Sequence, residues 1–321
     1  MTENRTLPGK ARKPFWDIHD RVVLARVGPI TLVSFGLWAA IAWAIGGFVA
    51  VARLSQVGLL TESLAPFLSV GIPLLAILGS RLLEILVNLK AYAAAPTRKL
   101  PETGFAFQGA LILCTLVLIA VAFQHSLPAL RLLDALVLGL PLGHAFGRMG
   151  CLAYGCCHGR PTTSRLSIRY VDPCSKPVWK EGLSGVLLHP TQLYSAAGNV
   201  GLFLVLNGLA QLGPMREGML AAAYLLLNSA GRFGMEFLRW PLATAGRRVK
   251  PFQWISMGLF LAGLVLLTWA LASPVFDYAL TAESARSAAG AVHFLGWLLC
   301  GSLVLFLGFG IHGRQVGRYF G

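Results

Sequence analysis

The chain has 321 residues, of which 56% are apolar and 12% are charged. A soluble domain carries about 25% charged residues, so this composition excludes a disordered chain, a collagen-like chain and almost any ordinary soluble enzyme. It indicates a polytopic membrane protein. The net charge of +14 then places basic groups in short loops, at the bilayer surface or inside the bundle, which favours anionic lipid over nucleic acid as partner.

Eight apolar runs follow one another along the chain. Each reaches or approaches the ~20 residues that a helix needs to cross ~30 Å of hydrocarbon. Because backbone groups cannot stay unpaired in lipid, we predict an all-α membrane bundle of seven or eight transmembrane helices. The runs are 28–52, 64–89, 106–124, 128–147, 186–211, 217–238, 251–273 and 291–312.

Residues 1–27 are polar and basic, and we expect them to form an interfacial N-terminal arm. No short apolar core with a small-residue cleavage site follows, so the sequence predicts no removable signal peptide. A transmembrane domain, 28–273, and an extra C-terminal helix with its tail, 274–321, complete the chain. Lys and Arg gather in the loops on the N-terminal side, which by the positive-inside rule would place the N-terminus in the cytoplasm.

The fourth run is broken by Gly139, Pro141 and Gly143, and it leads into the longest polar insertion, 148–185. Irregular backbone at membrane depth is tolerated where it lines a cavity, so the break indicates a site.

The junction between the fourth run and the insertion is rich in glycine, arginine and histidine. Arg148 and Arg160 are fork-shaped donors that can bind a phosphate bidentately. His144 precedes Arg148 by one helical turn, on the same face if the helix continues. The glycines between them let backbone approach a ligand closely.

The sixth run ends in a polar face, since Asn228, Arg232, Glu236 and Arg239 are spaced 4, 4 and 3 apart. An arginine inside a span needs a partner or a wet cavity. This face is therefore either a structural Arg232–Glu236 pair or an anion-binding surface. The second run repeats the pattern, as packing or as part of a ligand pocket, with Arg81, Glu84 and Asn88.

Polar groups also open the fifth run, where Pro190 suits a helix start. His189, Gln192 and Tyr194 lie at this membrane entrance. They either contact substrate or form an interfacial belt.

Six cysteines divide into two groups. Two lie in apolar runs and read as small core residues: Cys114 and Cys300. The other four admit a disulfide staple in an oxidising compartment, a Cys/His metal site of non-standard spacing, a reactive thiolate beside arginine, or plain packing. They are Cys151, Cys156, Cys157 and Cys174.

Five stretches together resemble the prolipoprotein diacylglyceryl transferase family of the bacterial inner membrane. They are GPITLVSFGL near the first run, GSR at 79–81, LPLGHAFGRMG with GRPT within 140–163, HPTQLY at 189–194 and GRFGMEFLRWP at 231–241. Their order and spacing match, and the resemblance covers 28–273.

The resemblance implies transfer of diacylglyceryl from phosphatidylglycerol to the thiol of a lipobox cysteine in a preprolipoprotein signal peptide. A thioether forms and glycerol phosphate leaves. It also implies a site that faces the periplasm, with no cofactor, no metal and no nucleic acid. The implied lipid-phosphate pocket lies between the second, fourth and sixth runs and opens laterally to the bilayer.

Carried over by motif, Arg148 and Arg232 would hold the lipid phosphate. The base of the family has no counterpart at its own position here, and His144, His158 or His189 could replace it, with His144 or His158 preferred. The remaining candidates would support the pocket, shape its loop or contact substrate. They are Arg81, Gln108, Gly150, Gly159, Arg160, His189, Gln192, Tyr194, Asn228, Glu236 and Arg239.

Several family positions differ here. The HGG histidine of the third run is absent from the stretch that holds Gln108, and two asparagines and a glutamate of the motif loop are replaced by Cys151, Tyr154 and Cys156. Asn228 stands for a tyrosine, and Ser195 for a glutamate. The alternatives to the transferase are therefore a divergent paralogue with another acceptor and a non-catalytic phospholipid-binding or transport protein.

Overall fold

The structure, a computed structural model, describes residues 22–61, 64–102, 104–240, 249–278 and 294–319. It is dominated by helices. They are α1 (Ser34–Gln56), α2 (Ile72–Val87), α3 (Leu89–Ala94), α4 (Pro96–Lys99), α5 (Phe107–Gln124), α6 (Ala129–Val137), α7 (Leu140–Tyr154), α8 (Lys176–Trp179), α9 (Thr191–Leu209), α10 (Met219–Met235), α11 (Pro251–Ala270) and α12 (Leu295–Gly310). A π-helical turn, Phe67–Gly71, continues into α2.

Short antiparallel strands join the helix ends. A three-stranded sheet has the order β1-β2-β7, while β3 pairs with β4 and β5 with β6. The strands are β1 (Val23–Val27), β2 (Ile30–Val33), β3 (Ile168–Arg169), β4 (Leu187–Leu188), β5 (Met215–Arg216), β6 (Val275–Phe276) and β7 (Ile311–His312).

Helix forms within each of the eight apolar runs over their described residues, which confirms the all-α membrane class. Among the described residues, however, four helices are long and apolar enough to cross a membrane, namely α1, Phe67–Val87, α5 and α11. The bent pair α6–α7 raises the number to five. The predicted count of seven or eight is not confirmed, because α10 and α12 have only 17 and 16 residues and α9 carries polar side chains.

The predicted break in the fourth run is a 45° bend between α6 and α7. At this bend α7 lies against α1 through glycines, since a Cβ on Gly46 would come within 2.8 Å of the Gly143 Cα. Small residues let membrane helices approach closely. The contact fixes α7, and with it Arg148, against the first helix.

The predicted boundaries of the chain's parts stay predictions. Residues 1–21 of the expected arm lie outside the described part, and 23–27 form strand β1. The insertion 148–185 is only partly a loop, because its first residues complete α7. Later in the insertion, β3 pairs with β4, which lies just beyond residue 185.

Candidate active site

Arg148 lies buried on the last turns of α7. Its Nε donates a hydrogen bond to Nε2 of His144, 3.1 Å away, and the His144 ring stacks on Phe107 with centroids 3.9 Å apart. The expected shared face is therefore present. Because a guanidinium only donates, the imidazole accepts at Nε2 and is neutral. His144 thus fixes the Arg148 guanidinium.

The end of α10 gathers three cations around one buried carboxylate. Oε1 of Glu236 lies 2.5 Å from Nη2 of Arg232 and 2.9 Å from Nη1 of Arg239. Nζ of Lys250 lies 3.5 Å from Oε2 and also donates to the main-chain oxygens of Glu236 and Arg239. The first turn of α11 is thereby tied to the end of α10.

The two arginine groups belong to one region. The charges of Arg148 and Arg239 both act on Arg232, and those of Arg148 and Arg232 both act on His144. Glu236 is the one carboxylate that the described residues pair with these cations. The Arg232–Glu236 pair of the first sequence interpretation is present. The region also has surplus positive charge that suits an anion, and the anion-binding surface stays a prediction.

Three thiols border the arginines. The Sγ atoms of Cys151, Cys156 and Cys157 lie within 4.8 Å of one another. Hydrogen bonds from Cys151 and Cys156 lower the pKa of Cys157 well below its usual range, and the charges of Arg239 and Arg148 lower it further.

Of the alternatives left open for these cysteines, the disulfide is not formed. All six cysteines of the chain lie in its described part, and each is a free thiol. Cys174 lies apart from the three clustered thiols, where its Sγ is 3.9 Å from Nη2 of Arg26.

The segment after the cysteines is held on both sides by backbone. Gly159 N–H donates to the His189 oxygen at 3.0 Å, and Arg160 N–H to the Leu238 oxygen at 2.9 Å. A Cβ on Gly159 would lie 2.5 Å from the His189 Cβ, so this close approach requires glycine. Gly150 serves a similar purpose, since its Cβ would lie 3.0 Å from that of Trp38 on α1.

The start of α9 supports the cysteine turn. Gln192 Nε2 donates to the Cys156 oxygen at 2.8 Å, and Thr191 Oγ1 donates to the Cys157 oxygen at 2.7 Å. The sequence singled out Gln192 as a substrate contact but missed Thr191. Its position beside Gln192 in the HPTQLY stretch was the available signal.

Two histidines next to this segment differ in burial. His158 is buried with Nδ1 3.1 Å from the Gly159 oxygen, and burial lowers its pKa, which favours the neutral ring. His189 Nδ1 lies 3.4 Å from the Tyr194 hydroxyl. The Arg160 side chain is exposed.

Arg81 on α2 is engaged by backbone. Its Nη1 donates to the Gly104 oxygen at 3.1 Å, and its Nη2 donates to the Leu100 oxygen. The guanidinium also lies over the rings of Tyr92 and Phe105. Of the two sequence interpretations, this geometry favours packing.

Two further predicted contacts lie on α5 and α10. Gln108 is buried and donates through Nε2 to Ser256 Oγ at 2.9 Å, which joins α5 to α11. Asn228 is half-buried one turn before Arg232.

A hollow of about 610 Å³ lies elsewhere, between α1 and α9. Arg53 at its edge donates to Asn207 Oδ1 at 2.7 Å, to Gln56 Oε1 at 3.0 Å and to the Tyr278 oxygen at 3.2 Å. Its hydrogen-bonding capacity is largely used within the fold. This hollow therefore offers an anion less than the arginine region does.

Comparison with known proteins agrees with the resemblance seen in the motifs. A family model described as prolipoprotein diacylglyceryl transferase matches residues 22–269. A phosphatidylglycerol–prolipoprotein diacylglyceryl transferase 2 of Clostridium perfringens is 29% identical over 77% of this chain and 94% of its own length. Similarly named proteins of Parasynechococcus marenigrum and Symbiobacterium thermophilum are 34% and 30% identical, over 68% and 78% of this chain and 79% and 93% of their own lengths. The chain therefore belongs to the prolipoprotein diacylglyceryl transferase family.

Proposed function

We propose that this membrane protein transfers the diacylglyceryl group of phosphatidylglycerol to a cysteine thiol of a preprolipoprotein. The proposal rests mainly on the surplus positive charge around Arg148, Arg232 and Arg239. Among the described residues, Glu236 is the one carboxylate that forms an ion pair within this group. The names of its relatives support both substrates.

The arginines suit the charge that develops in this reaction. The acceptor sulfur attacks the glyceryl carbon, the C–S bond forms and the C–O bond breaks with its electron pair. Negative charge therefore grows on the phosphate oxygens of the leaving glycerol phosphate. Guanidinium groups already fixed by His144 and Glu236 can stabilise that charge without reorganising.

The acceptor thiol must lose its proton, since the thiolate is the nucleophile. His144 and His158 remain the proposed bases that would take this proton. The hydrogen bond from Arg148 occupies Nε2 of His144, so we assign that histidine chiefly to positioning Arg148.

We further propose that the site faces the periplasmic side of a bacterial inner membrane. With the eight predicted spans, the positive-inside rule argues the other way, because the basic loops would then lie on the same side as the site. Basic residues on an outward face would gather anionic lipid headgroups, which accounts for the excess.

The proposal is tested by complementation in cells depleted of their own transferase. We expect growth and thioether-modified lipoprotein from the unaltered chain, and neither from Arg148→Ala or Arg232→Ala. Arg216→Ala is the control and should complement fully. Arg216 is exposed and lies just before the first residue of α10. A well-expressed chain that yields no lipidated product would refute the proposal.

One observation favours a second candidate. The replacement of polar family residues by Cys151, Tyr154 and Cys156 changes the surroundings of the acceptor. Transfer to a different acceptor predicts consumption of phosphatidylglycerol without lipoprotein thioether, which mass spectrometry of the products distinguishes.

A further inference from the structure

Three cysteines form a compact group at the end of α7. Cys151 and its neighbours Cys156 and Cys157 are free thiols whose Sγ atoms all lie within 4.8 Å of one another. Cys151 is buried, and the other two are half-buried. Three neighbouring sulfur atoms are the kind of donor set that thiophilic metal ions prefer.

The backbone is built to bring these thiols together. Helix α7 ends at Tyr154, and the next residue, Gly155, has the φ of +76° that is usual for a glycine after a helix. Cys157 also has a positive φ, +59°, which is uncommon for a side chain other than glycine and occurs mainly where other contacts impose it. The hydrogen bonds from Thr191 and Gln192 to the Cys157 and Cys156 oxygens hold this turn.

The spacing fits zinc. Zn–S bonds of about 2.3 Å place the sulfurs of a tetrahedral site ~3.8 Å apart. Sulfurs within 4.8 Å reach that separation by small side-chain rotations.

The surrounding charge also fits. Three thiolates around Zn²⁺ carry a net charge of −1, and a fourth thiolate makes it −2. The charges of Arg148 and Arg239 act on Cys157, and that of Arg148 also acts on Cys151. Two guanidinium groups thus stand where an anionic zinc–thiolate group needs compensation.

We propose that Cys151, Cys156 and Cys157 bind one Zn²⁺ ion and leave its fourth position open to the acceptor thiol. Three protein ligands with an open position are the pattern of catalytic zinc. The role of the open position rests on the proposed transferase function, whereas the metal site itself does not.

The zinc would activate the acceptor without any redox change. A thiol that coordinates zinc is deprotonated, and its proton passes to water. The bound sulfur then attacks the glyceryl carbon, a C–S bond forms, and the C–O bond breaks. The electron pair leaves with glycerol phosphate, whose charge the nearby arginines stabilise.

The test measures zinc in the full chain purified in detergent, beside the variants Cys151→Ser, Cys156→Ser and Cys157→Ser. Cys174→Ser is the matched control, since this free thiol lies in the same insertion but outside the cluster. We expect about one zinc per chain in the unaltered protein and in the control. Each cluster variant should lose most or all of the bound zinc.

A spectroscopic measurement on the unaltered protein covers the case of variants that fail to fold. X-ray absorption at the zinc edge should give three sulfur neighbours, and a fourth once a lipobox peptide is added. The zinc site would be overturned if no zinc is bound after loading or if the triple serine variant retains zinc. It would also be overturned if copper(I) binds in place of zinc or if the cluster forms a disulfide.

The outcome is separable from that of the proposed function. Zinc bound by three sulfurs in a protein without transferase activity would leave the site standing and refute the function. Full transfer by the triple serine variant would leave the function standing and refute the activating role of the metal.

Discussion

The two ends of helix α10 handle buried charge in opposite ways. At its beginning, Asp134 of α6 is fully buried and accepts hydrogen bonds from Gly218 N–H at 2.6 Å, Ala221 N–H at 2.8 Å and the Tyr278 hydroxyl at 2.8 Å. A carboxylate suits the positive end of a helix. The anion is therefore satisfied by groups of the fold.

At the other end of α10, the positive side chains outnumber the carboxylates that pair with them. Arg232, Arg239 and Lys250 share Glu236, and Arg148 adds another cation nearby. The comparison separates two kinds of buried charge. A group whose partners all belong to the fold stabilises the structure, whereas surplus cations are explained by an anion that comes from outside.

The largest expected effect is on the surplus end. Arg148→Ala or Arg232→Ala should lower the rate of diacylglyceryl transfer by about 100- to 1,000-fold, the usual result of removing one preorganised donor. The unfolding temperature should change little. Transfer assays with phosphatidylglycerol and a lipobox peptide measure this, and near-normal rates in both variants would contradict the assignment.

The satisfied end should respond in stability instead. Asp134→Ala removes the acceptor of three buried donors, and we expect a loss of about 3 kcal/mol in the free energy of unfolding. Transfer per folded molecule should persist. Unfolding in detergent measures the change, with exposed Arg98→Ala as a control. An unchanged free energy of unfolding in Asp134→Ala would contradict the proposed difference between the two ends of α10.

Glu236→Gln tests whether the shared carboxylate positions the arginines. It removes the negative charge that fixes Arg232 and Arg239, so kcat should fall by about tenfold, or about 1.4 kcal/mol. KM for the anionic lipid should not rise, because the site becomes more positive. A rise in KM with unchanged kcat would show that Glu236 acts in another way.

The smallest effect is expected at His144. His144→Ala removes one neutral acceptor from Arg148, which corresponds to about 1 kcal/mol or a few-fold in rate. His144→Gln can still accept that hydrogen bond and should restore most of the rate. If Gln fails to rescue and the pH profile of kcat changes, His144 acts as a base instead.

The spacing of residues along single helices made two contacts of the site predictable. The turn between His144 and Arg148 and the four-residue step from Arg232 to Glu236 follow from helix geometry, and both contacts are present. The membrane helix class followed from composition in the same way.

What depends on distant contacts was not predictable. The partners of Arg81 are backbone oxygens of a turn, Leu100 and Gly104, which carry no signal in side-chain type. The cysteine cluster needs a left-handed residue at Cys157, held by hydrogen bonds from a helix start 34 residues away. Residue spacing therefore gave no zinc pattern there.

Binding of an anionic phospholipid's phosphate by the surplus arginines can be seen in a cryo-EM structure of the chain in phosphatidylglycerol nanodiscs. We expect a lipid phosphate within hydrogen-bond distance of both Arg148 and Arg232. A lipid phosphate bound elsewhere, with these two arginines contacting only protein groups, would contradict it.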